Sequence, residues 1–169
     1  MANTIVYVQQ HGYDSYEDLK KARDELSVKM SDARNTAKST DADLKLLNEK
    51  IHYLGQYLST KATYKAFLQA GNKKMYRSAH QDEIARYEGA VQFLKRNSTD
   101  GTIPTMKNLR AEKEKLLSVR TAQYESYTYF KDYYHELQTA CRNVDMILGA
   151  EHTQQHSRTQ PKRSYEQSI

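Results

Sequence analysis

The chain of 169 residues contains no tryptophan, two prolines, six glycines and one cysteine. The single cysteine, Cys141, excludes an internal disulfide and indicates a reducing, cytoplasmic setting. Because prolines and glycines are so few, little in the sequence interrupts a helix over long stretches. No apolar run approaches the roughly 18 residues of a membrane-spanning helix, so we expect no membrane partner. The opening MANTIVYVQQ lacks the regions of a secretory signal.

Charged residues make up 28% of the chain, and the mean hydropathy is -0.92. This composition is too polar for a deep globular core, although leucine, alanine, lysine and glutamate are plentiful. Such a mixture favours long helices that bury one narrow seam.

The N-terminal part predicts two helices. A short one is expected in residues 1–12, closed by Gly12. Ser15 with Asp18 three residues later predicts a capped start for a second helix. The first plausible stop for this second helix is Gly71.

Within this long helix, seam positions alternate three and four residues apart, a spacing typical of a coiled coil. The segment Ser39-Thr40-Asp41 leaves a kink open. The predicted seam consists of Leu19, Arg23, Leu26, Met30, Ala33, Ala37, Thr40, Leu44, Leu47, Ile51, Leu54 and Leu58.

The C-terminal part shows the same spacing and predicts a second long helix that ends at Gly149. Residues 150–169 have no apolar period and are expected to be a disordered tail. The predicted seam here consists of Leu109, Glu112, Leu116, Val119, Gln123, Ser126, Phe130, Tyr133, Leu137, Ala140, Val144 and Ile147.

Folding the two segments against each other predicts an all-α chain, a long antiparallel helical hairpin of the coiled-coil type over residues 13–149. Its small helical tip spans residues 71–104. A single register aligns both seams, with these expected pairs: Leu19 with Ile147, Ala33 with Tyr133, Thr40 with Ser126, and Leu58 with Leu109. The alternative is that the two helices belong to a bundle with further contacts.

Inside the tip, the spacing of Ile84, Tyr87, Val91 and Leu94 predicts a helix over residues 81–97. One or two further helical turns are expected over residues 72–79. Both segments are expected to pack on Tyr64, Phe67, Leu68 and Ile103, and Thr105 is a suitable N-cap for the last helix.

No catalytic motif is present. The sequence contains no nucleotide-binding loop, no Gly-x-Ser-x-Gly and no His-Glu-x-x-His. Its six histidines are scattered, so we expect no metal site and no cofactor. Tyrosines on a solvated helix face, without a neighbouring base, are typical of amphipathic packing. We therefore expect a protein that is not an enzyme.

The positive charge is concentrated in one region. Residues 61–97 carry eight basic and three acidic side chains, while the rest of the chain is balanced. Exposed cations in such a region predict phosphate binding, with Tyr76 against a sugar or base. The alternative is a solvated lysine-rich turn. The candidate nucleic-acid-binding residues, hereafter the seven cations, are Lys65, Lys73, Lys74, Arg77, Arg86, Lys95 and Arg96.

Several stretches carry a family resemblance: GYDSYEDLKKA, YKAFLQAGNKKMYRSAHQDEIARYEGA, IPTMKNLRAEKEKLL and RNVDMILG. Together they resemble the C-terminal helical region of relaxases, the mobilisation nucleases of conjugative and mobilisable elements of Gram-positive bacteria. The match extends over about residues 1–149. The positions that fit the family pattern are Tyr64, Phe67, Ala70, Gly71, Tyr76, His80, Glu83, Ile84, Pro104, Lys107 and Leu109.

The family's nuclease domain, with its tyrosine and histidine-bound metal, has no counterpart in this sequence. The resemblance therefore implies a non-catalytic accessory region, with DNA or conjugation and secretion proteins as partners. The rival interpretation is a protein-interaction or dimerisation rod, a homodimer through helix faces that exposes Tyr53, Tyr57, Tyr124 and Tyr127. A third interpretation is that the region has no activity alone.

Overall fold

The computed structural model describes residues 11–158, and within them the chain is helical with no strand. The helices are α1 (Tyr16–Gln69), α2 (Lys73–Ala79), α3 (Gln81–Arg96) and α4 (Met106–Arg158). The all-α prediction is confirmed. The short helix predicted in residues 1–12 falls almost entirely outside the described residues.

Side-chain caps fix where three of the helices begin. The Asp18 amide donates to Ser15 Oγ at 3.1 Å, the Met75 amide to Asn72 Oδ1 at 3.0 Å, and the Asn108 amide to Thr105 Oγ1 at 3.2 Å. Each bond satisfies an amide that has no partner within the first turn. The predicted caps Ser15 and Thr105 are confirmed.

The turn between α3 and α4 is organised by Asp100. Its Oδ1 accepts from Ser98 Oγ at 2.7 Å and from the Thr102 amide at 3.0 Å, and these bonds lower the pKa of Asp100 to about 2. Gly101 follows with φ of +68°, a conformation that glycine adopts without steric cost.

The two long helices have fewer interruptions than the sequence suggests. α1 continues through Thr40, whose hydroxyl donates back to the Thr36 carbonyl at 3.3 Å. The prediction that the last helix ends at Gly149 is wrong, because α4 continues to Arg158. Gly149 lacks the positive φ of a helix-ending glycine, and no proline follows it before residue 161. Of the predicted tail 150–169, residues 159–169 lie outside the described part.

The described residues divide into two compact units, residues 11–33 with 125–158 and residues 34–124. The first is here called the terminal unit and the second the tip-bearing unit. The core of the terminal unit is formed by Leu19, Leu26, Leu137, Ala140 and Cys141. Burial raises the pKa of the Cys141 thiol, which makes it a packing group rather than a reactive one.

Tyrosine hydroxyls add polar links to the terminal unit. Tyr16 donates to the Asp145 carboxylate, and burial together with this bond raises the pKa of Tyr16 to about 12. Tyr13, which precedes α1, shares a 2.8 Å hydrogen bond with the Tyr133 hydroxyl. The sequence predicts Tyr133 opposite Ala33. It does not predict the hydrogen bond between Tyr133 and Tyr13, which lies in the segment before α1.

The core of the tip-bearing unit draws on three helices. Its buried members are Leu47 and Leu54 from α1, Leu94 from α3 and Leu109 from α4. The predicted tip helices over residues 72–79 and 81–97 are therefore present as α2 and α3, and α3 packs into the core that the long helices share.

The predicted seam of α1 agrees with burial from Leu19 to Leu54 and then fails. Leu54 is 2% exposed, whereas Leu58, one turn later, is 51% exposed. On α4 two of the predicted seam positions are replaced by the residue that follows them. Glu112 and Ser126 are exposed, whereas Lys113 and Tyr127 are partly buried. The predicted Val119 is exposed as well, and the predicted Gln123 is partly buried as expected. Because long polar side chains cover a seam with their apolar stems, they are hard to distinguish from solvent-facing residues in a sequence.

The predicted register agrees with the structure in part: Leu26 and Ala140, which it places opposite each other, belong to one buried cluster, but two of the named pairs are not found. Leu109 packs with Leu47 and Leu54 rather than Leu58. The cluster around Leu19 contains Leu137, Ala140 and Cys141, with Val144 against it, and the expected partner Ile147 is not part of it. An apolar spacing of three and four tolerates a slip of about one turn, since each slip still places apolar residues against apolar residues.

Polar contacts that fit only one register select it over the registers that differ by one turn. In the tip-bearing unit the Asp41 carboxylate accepts from Tyr124 Oη at 2.6 Å and from Arg120 Nε at 2.5 Å. These two bonds, that of Tyr124 first, lower the pKa of Asp41 from its ordinary 3.8. The link joins α1 to α4 at one defined alignment.

Two leucines one turn apart test whether the buried seam of α1 ends at Leu54. Leu54→Ala removes a buried side chain and is expected to lower the free energy of unfolding by about 2–5 kcal/mol. Leu58→Ala removes a half-exposed side chain and is expected to change it by less than about 0.5 kcal/mol. Urea unfolding followed by circular dichroism measures both free energies. Equal losses in the two variants would mean that Leu58 is a buried seam residue after all.

The Asp41 link predicts a pH dependence. Because the folded state lowers the pKa of Asp41, its stabilising contribution is present above the unfolded pKa and is lost as pH falls through the folded value, below 3.8. In Tyr124→Phe we expect the pKa of Asp41 to rise back toward 3.8. Carboxyl NMR titration of both proteins measures this, and an unchanged midpoint would exclude the hydrogen bond.

Candidate nucleic-acid interface

The seven cations lie on three helices of the tip-bearing unit, and all seven side chains are exposed. Lys65 is on α1, and Lys73, Lys74 and Arg77 are on α2. Arg86, Lys95 and Arg96 are on α3, the last two in its final turn, where positive charge suits the helix dipole.

Stacked aromatic rings position these helices. Tyr64 of α1 stacks on Tyr87 of α3 with ring centroids 3.9 Å apart and planes 14° from parallel. Tyr53 stacks on Phe93 at 4.0 Å, and Tyr57 lies 5.3 Å from Tyr87. The rings therefore hold α3 along the C-terminal half of α1, because each pair buries apolar area and adds a favourable ring geometry.

Arg77 connects α2 to both neighbours. Its guanidinium lies 5.4 Å from the centre of the Phe67 ring on α1 and forms an ion pair with Glu88 on α3. Both side chains of the ion pair are substantially exposed, so the pair is expected to stabilise the unit only slightly. Its effect is to orient α2, whose two lysines then face solvent.

Carboxylates are scarce around these cations. Between Glu49 and Asp82 the chain carries six basic residues and no acidic one. Of the carboxylates that follow, Glu83 accepts from His80 at 3.0 Å and Glu88 is paired with Arg77. Among the described residues, Lys65, Lys73 and Lys74 form no ion pair. The local field is therefore positive and largely uncompensated.

The structure brings only some of the seven cations together. Lys74 and Arg77 line one shallow surface depression between α2 and α3, which Glu88 also borders. Lys65, Arg86, Lys95 and Arg96 are outside this depression, and Arg86 Nε donates to the Asp82 carbonyl at 3.3 Å. The charge thus forms a distributed surface rather than a pocket.

Tyr76 was expected to lie against a sugar or base. It is half-buried, and its ring stacks on His80 at 4.4 Å, so one face is already occupied. His80 precedes α3 and bonds Glu83 in its first turn, in keeping with a helix start rather than a catalytic role.

Lys61 is an eighth exposed cation of this region. Lys61 and the seven cations together are here called the basic surface. Lys61 is exposed one turn before Lys65 on α1, with its ammonium 5.5 Å from the Tyr57 ring. The signal was in the sequence, since an i, i+4 pair shares one helix face.

Large apolar side chains are exposed beside these cations. Leu68 is 54% and Met75 is 70% exposed, although Leu68 and the turn carrying Met75 were both expected to pack into the tip. Tyr53 and Tyr57, expected on an exposed strip, are instead half-buried against α3. Of the other two tyrosines expected there, Tyr127 is partly buried and Tyr124 is exposed.

Over the part of the chain that the structure describes, no group of three or more His, Cys, Asp or Glu side chains is placed to hold a metal ion. None of the described helices is both long and apolar enough to cross a bilayer.

No family model, curated protein or solved structure matches the chain.

Proposed function

We propose that the chain is the non-catalytic helical accessory region of a DNA mobilisation protein and that it binds nucleic acid weakly, without sequence preference, through the seven cations. The observation that supports this proposal is the exposure of all seven cations beside a stretch of 32 residues, 50–81, that contains no carboxylate. Cations without acidic neighbours attract phosphates and release the counterions condensed on them.

The binding surface has no feature that would read bases. Its cations are spread over α1, α2 and α3 and surround no deep cleft. Contacts to phosphates position a protein on nucleic acid but carry no sequence information. The affinity is therefore expected to be modest, sensitive to salt and similar across sequences.

The two long helices form the support for this surface. We propose that α1 and α4 pack as an antiparallel coiled coil within each unit. In the tip-bearing unit this is supported by the shared Leu47, Leu54 and Leu109 core and by the Asp41 link to Arg120 and Tyr124. The ring stacks then attach α3 to that support.

The mobilisation role rests on the resemblance to relaxase C-terminal regions. It implies a cytoplasmic protein whose further partners are conjugation or secretion proteins. Sequencing of the element that encodes the chain tests this role: a relaxase nuclease domain is expected within or directly before the same reading frame, and its absence there would count against mobilisation while leaving nucleic-acid binding open.

Charge reversal tests nucleic-acid binding. The variant Lys65→Glu/Lys73→Glu/Lys74→Glu removes three exposed cations, and two of the new glutamates fall in the first turn of α2, where they suit the helix dipole. We expect its affinity for DNA at 50 mM salt to fall by on the order of a hundredfold or more. Fluorescence anisotropy with labelled DNA measures the change.

A matched control separates local charge from net charge. Lys29→Glu/Arg34→Glu/Lys38→Glu makes the same change at exposed positions of α1 outside the basic surface. We expect this control to retain most of the parent's affinity. If both variants lose affinity equally, net charge alone drives binding; if neither does, the basic surface is not the site.

Exposed apolar side chains favour a second candidate function, a protein-interaction or dimerisation surface. Leu58, Leu68 and Met75 are each more than half exposed on α1 and α2. Leu58 and Leu68 lie about three turns apart on one side of α1, the spacing of anchors that dock into a partner's groove.

Sedimentation equilibrium tests the homodimer form of this candidate. A dimer through this surface predicts an apparent mass that rises above 19.7 kDa with concentration. It also predicts that Leu68→Ser/Met75→Ser restores the monomer, whereas Val28→Ser, at another exposed apolar position, does not. A parent that stays monomeric at all concentrations excludes the homodimer.

A further inference from the structure

The aromatic rings of the tip-bearing unit are engaged with one another. Between residues 53 and 93 every phenylalanine and tyrosine is half-buried and lies against another ring. These rings are Tyr53, Tyr57, Tyr64, Phe67, Tyr76, Tyr87 and Phe93. The cations of the same surface, in contrast, are exposed.

This division bears on which nucleic acid the surface can bind. Proteins that hold single strands generally offer exposed rings on which bases stack, each worth about 1–3 kcal/mol. Here the closest stacks, Tyr64 on Tyr87 and Tyr53 on Phe93, are used to attach α3 to α1. A base could stack on these rings only by separating the helices, at the cost of the packing between them.

The attraction that remains is between exposed cations and phosphates. A duplex presents one negative charge per about 1.7 Å of its axis. Each phosphate that a protein neutralises releases more condensed counterions from a duplex than from a single strand, so each contact contributes more to the affinity for a duplex. A surface that works by charge alone therefore gains most from a duplex.

The stiffness of the surface favours the same ligand. Lys65, Lys73 and Arg77 are on helices that are tied by ring stacks and by the Arg77 contacts to Phe67 and Glu88. A duplex is stiff over about 50 nm and meets a fixed set of cations without being ordered first. A flexible single strand would have to lose conformational freedom on the same surface.

We infer that the ligand of the basic surface is the phosphate backbone of a double-stranded nucleic acid, bound through Lys61 and the seven cations without base stacking. This inference rests on the proposed nucleic-acid binding and adds the class of ligand. It also assigns Tyr76 a packing role against His80 rather than a contact with a base.

Anisotropy measurements with two labelled ligands of equal length, a mixed-sequence duplex and an oligo(dT) strand, test the inference. We expect the duplex to bind on the order of tenfold more tightly at 100 mM salt. We also expect its logarithmic affinity to fall more steeply with the logarithm of salt concentration, by about 0.9 per neutralised phosphate against about 0.7 for the strand.

Two variants separate charge from stacking. Lys61→Gln/Lys65→Gln is expected to weaken duplex binding several-fold and to lower the salt slope by about two. Tyr76→Leu keeps an apolar side chain and is expected to leave both affinities unchanged. Circular dichroism of each variant establishes that the helices are intact.

The outcomes are distinct. Equal or tighter binding of oligo(dT), or a loss of affinity in folded Tyr76→Leu, overturns the duplex inference and leaves the proposed nucleic-acid binding in place. No measurable binding of either ligand at 50 mM salt overturns the proposed function and the inference together. Tighter duplex binding that is lost in Lys61→Gln/Lys65→Gln supports both.

Discussion

The architecture of the tip-bearing unit depends on a change in which face of α1 is covered. As far as Leu54, the buried face of α1 follows the seam shared with Leu109 of α4. The residues of α1 that follow Leu54 extend past the start of α4, so α4 does not cover them. There α3 covers another face of α1, the one that carries Tyr53, Tyr57, Tyr64 and Phe67. The face that continues the seam carries Leu58, Lys61, Lys65 and Leu68, and no described element covers it.

This change explains how the same helix both folds the unit and exposes its charge. Side chains on the ring-bearing face bury apolar area against α3, so that face is unavailable to a ligand. The uncovered face keeps its lysines in water, where they retain their charge and meet few carboxylates. Charge and packing are thus separated by helical geometry, since a rotation of about 100° per residue places neighbours on different faces.

Much of the fold could be predicted from local signals. The start of α1 at Ser15, the start of α4 after Thr105 and the seam from Leu19 to Leu54 all depend on caps and spacing within one helix. Positions that depend on another element were predicted less well. Leu58 has the right spacing for the seam but no partner beside it, and Lys113 covers the seam with its stem while its charge reaches solvent. The residues behind the family resemblance have packing roles where the contacts are clear: Tyr64 stacks on Tyr87, and Ile84 and Leu109 are buried.

The sequence by itself determined that the chain is helical, where most helices begin and that positive charge gathers between residues 61 and 97. These properties follow from caps, from the scarcity of proline and glycine, and from composition, all of which act within a few residues. Only the tertiary structure decided the register of α1 on α4, the exposure of Leu58, Leu68 and Met75, and the engagement of the aromatic rings. The physical reason is that a repeating apolar pattern fits several alignments almost equally well, and contacts between distant residues, such as Asp41 with Arg120 and Tyr64 with Tyr87, select one.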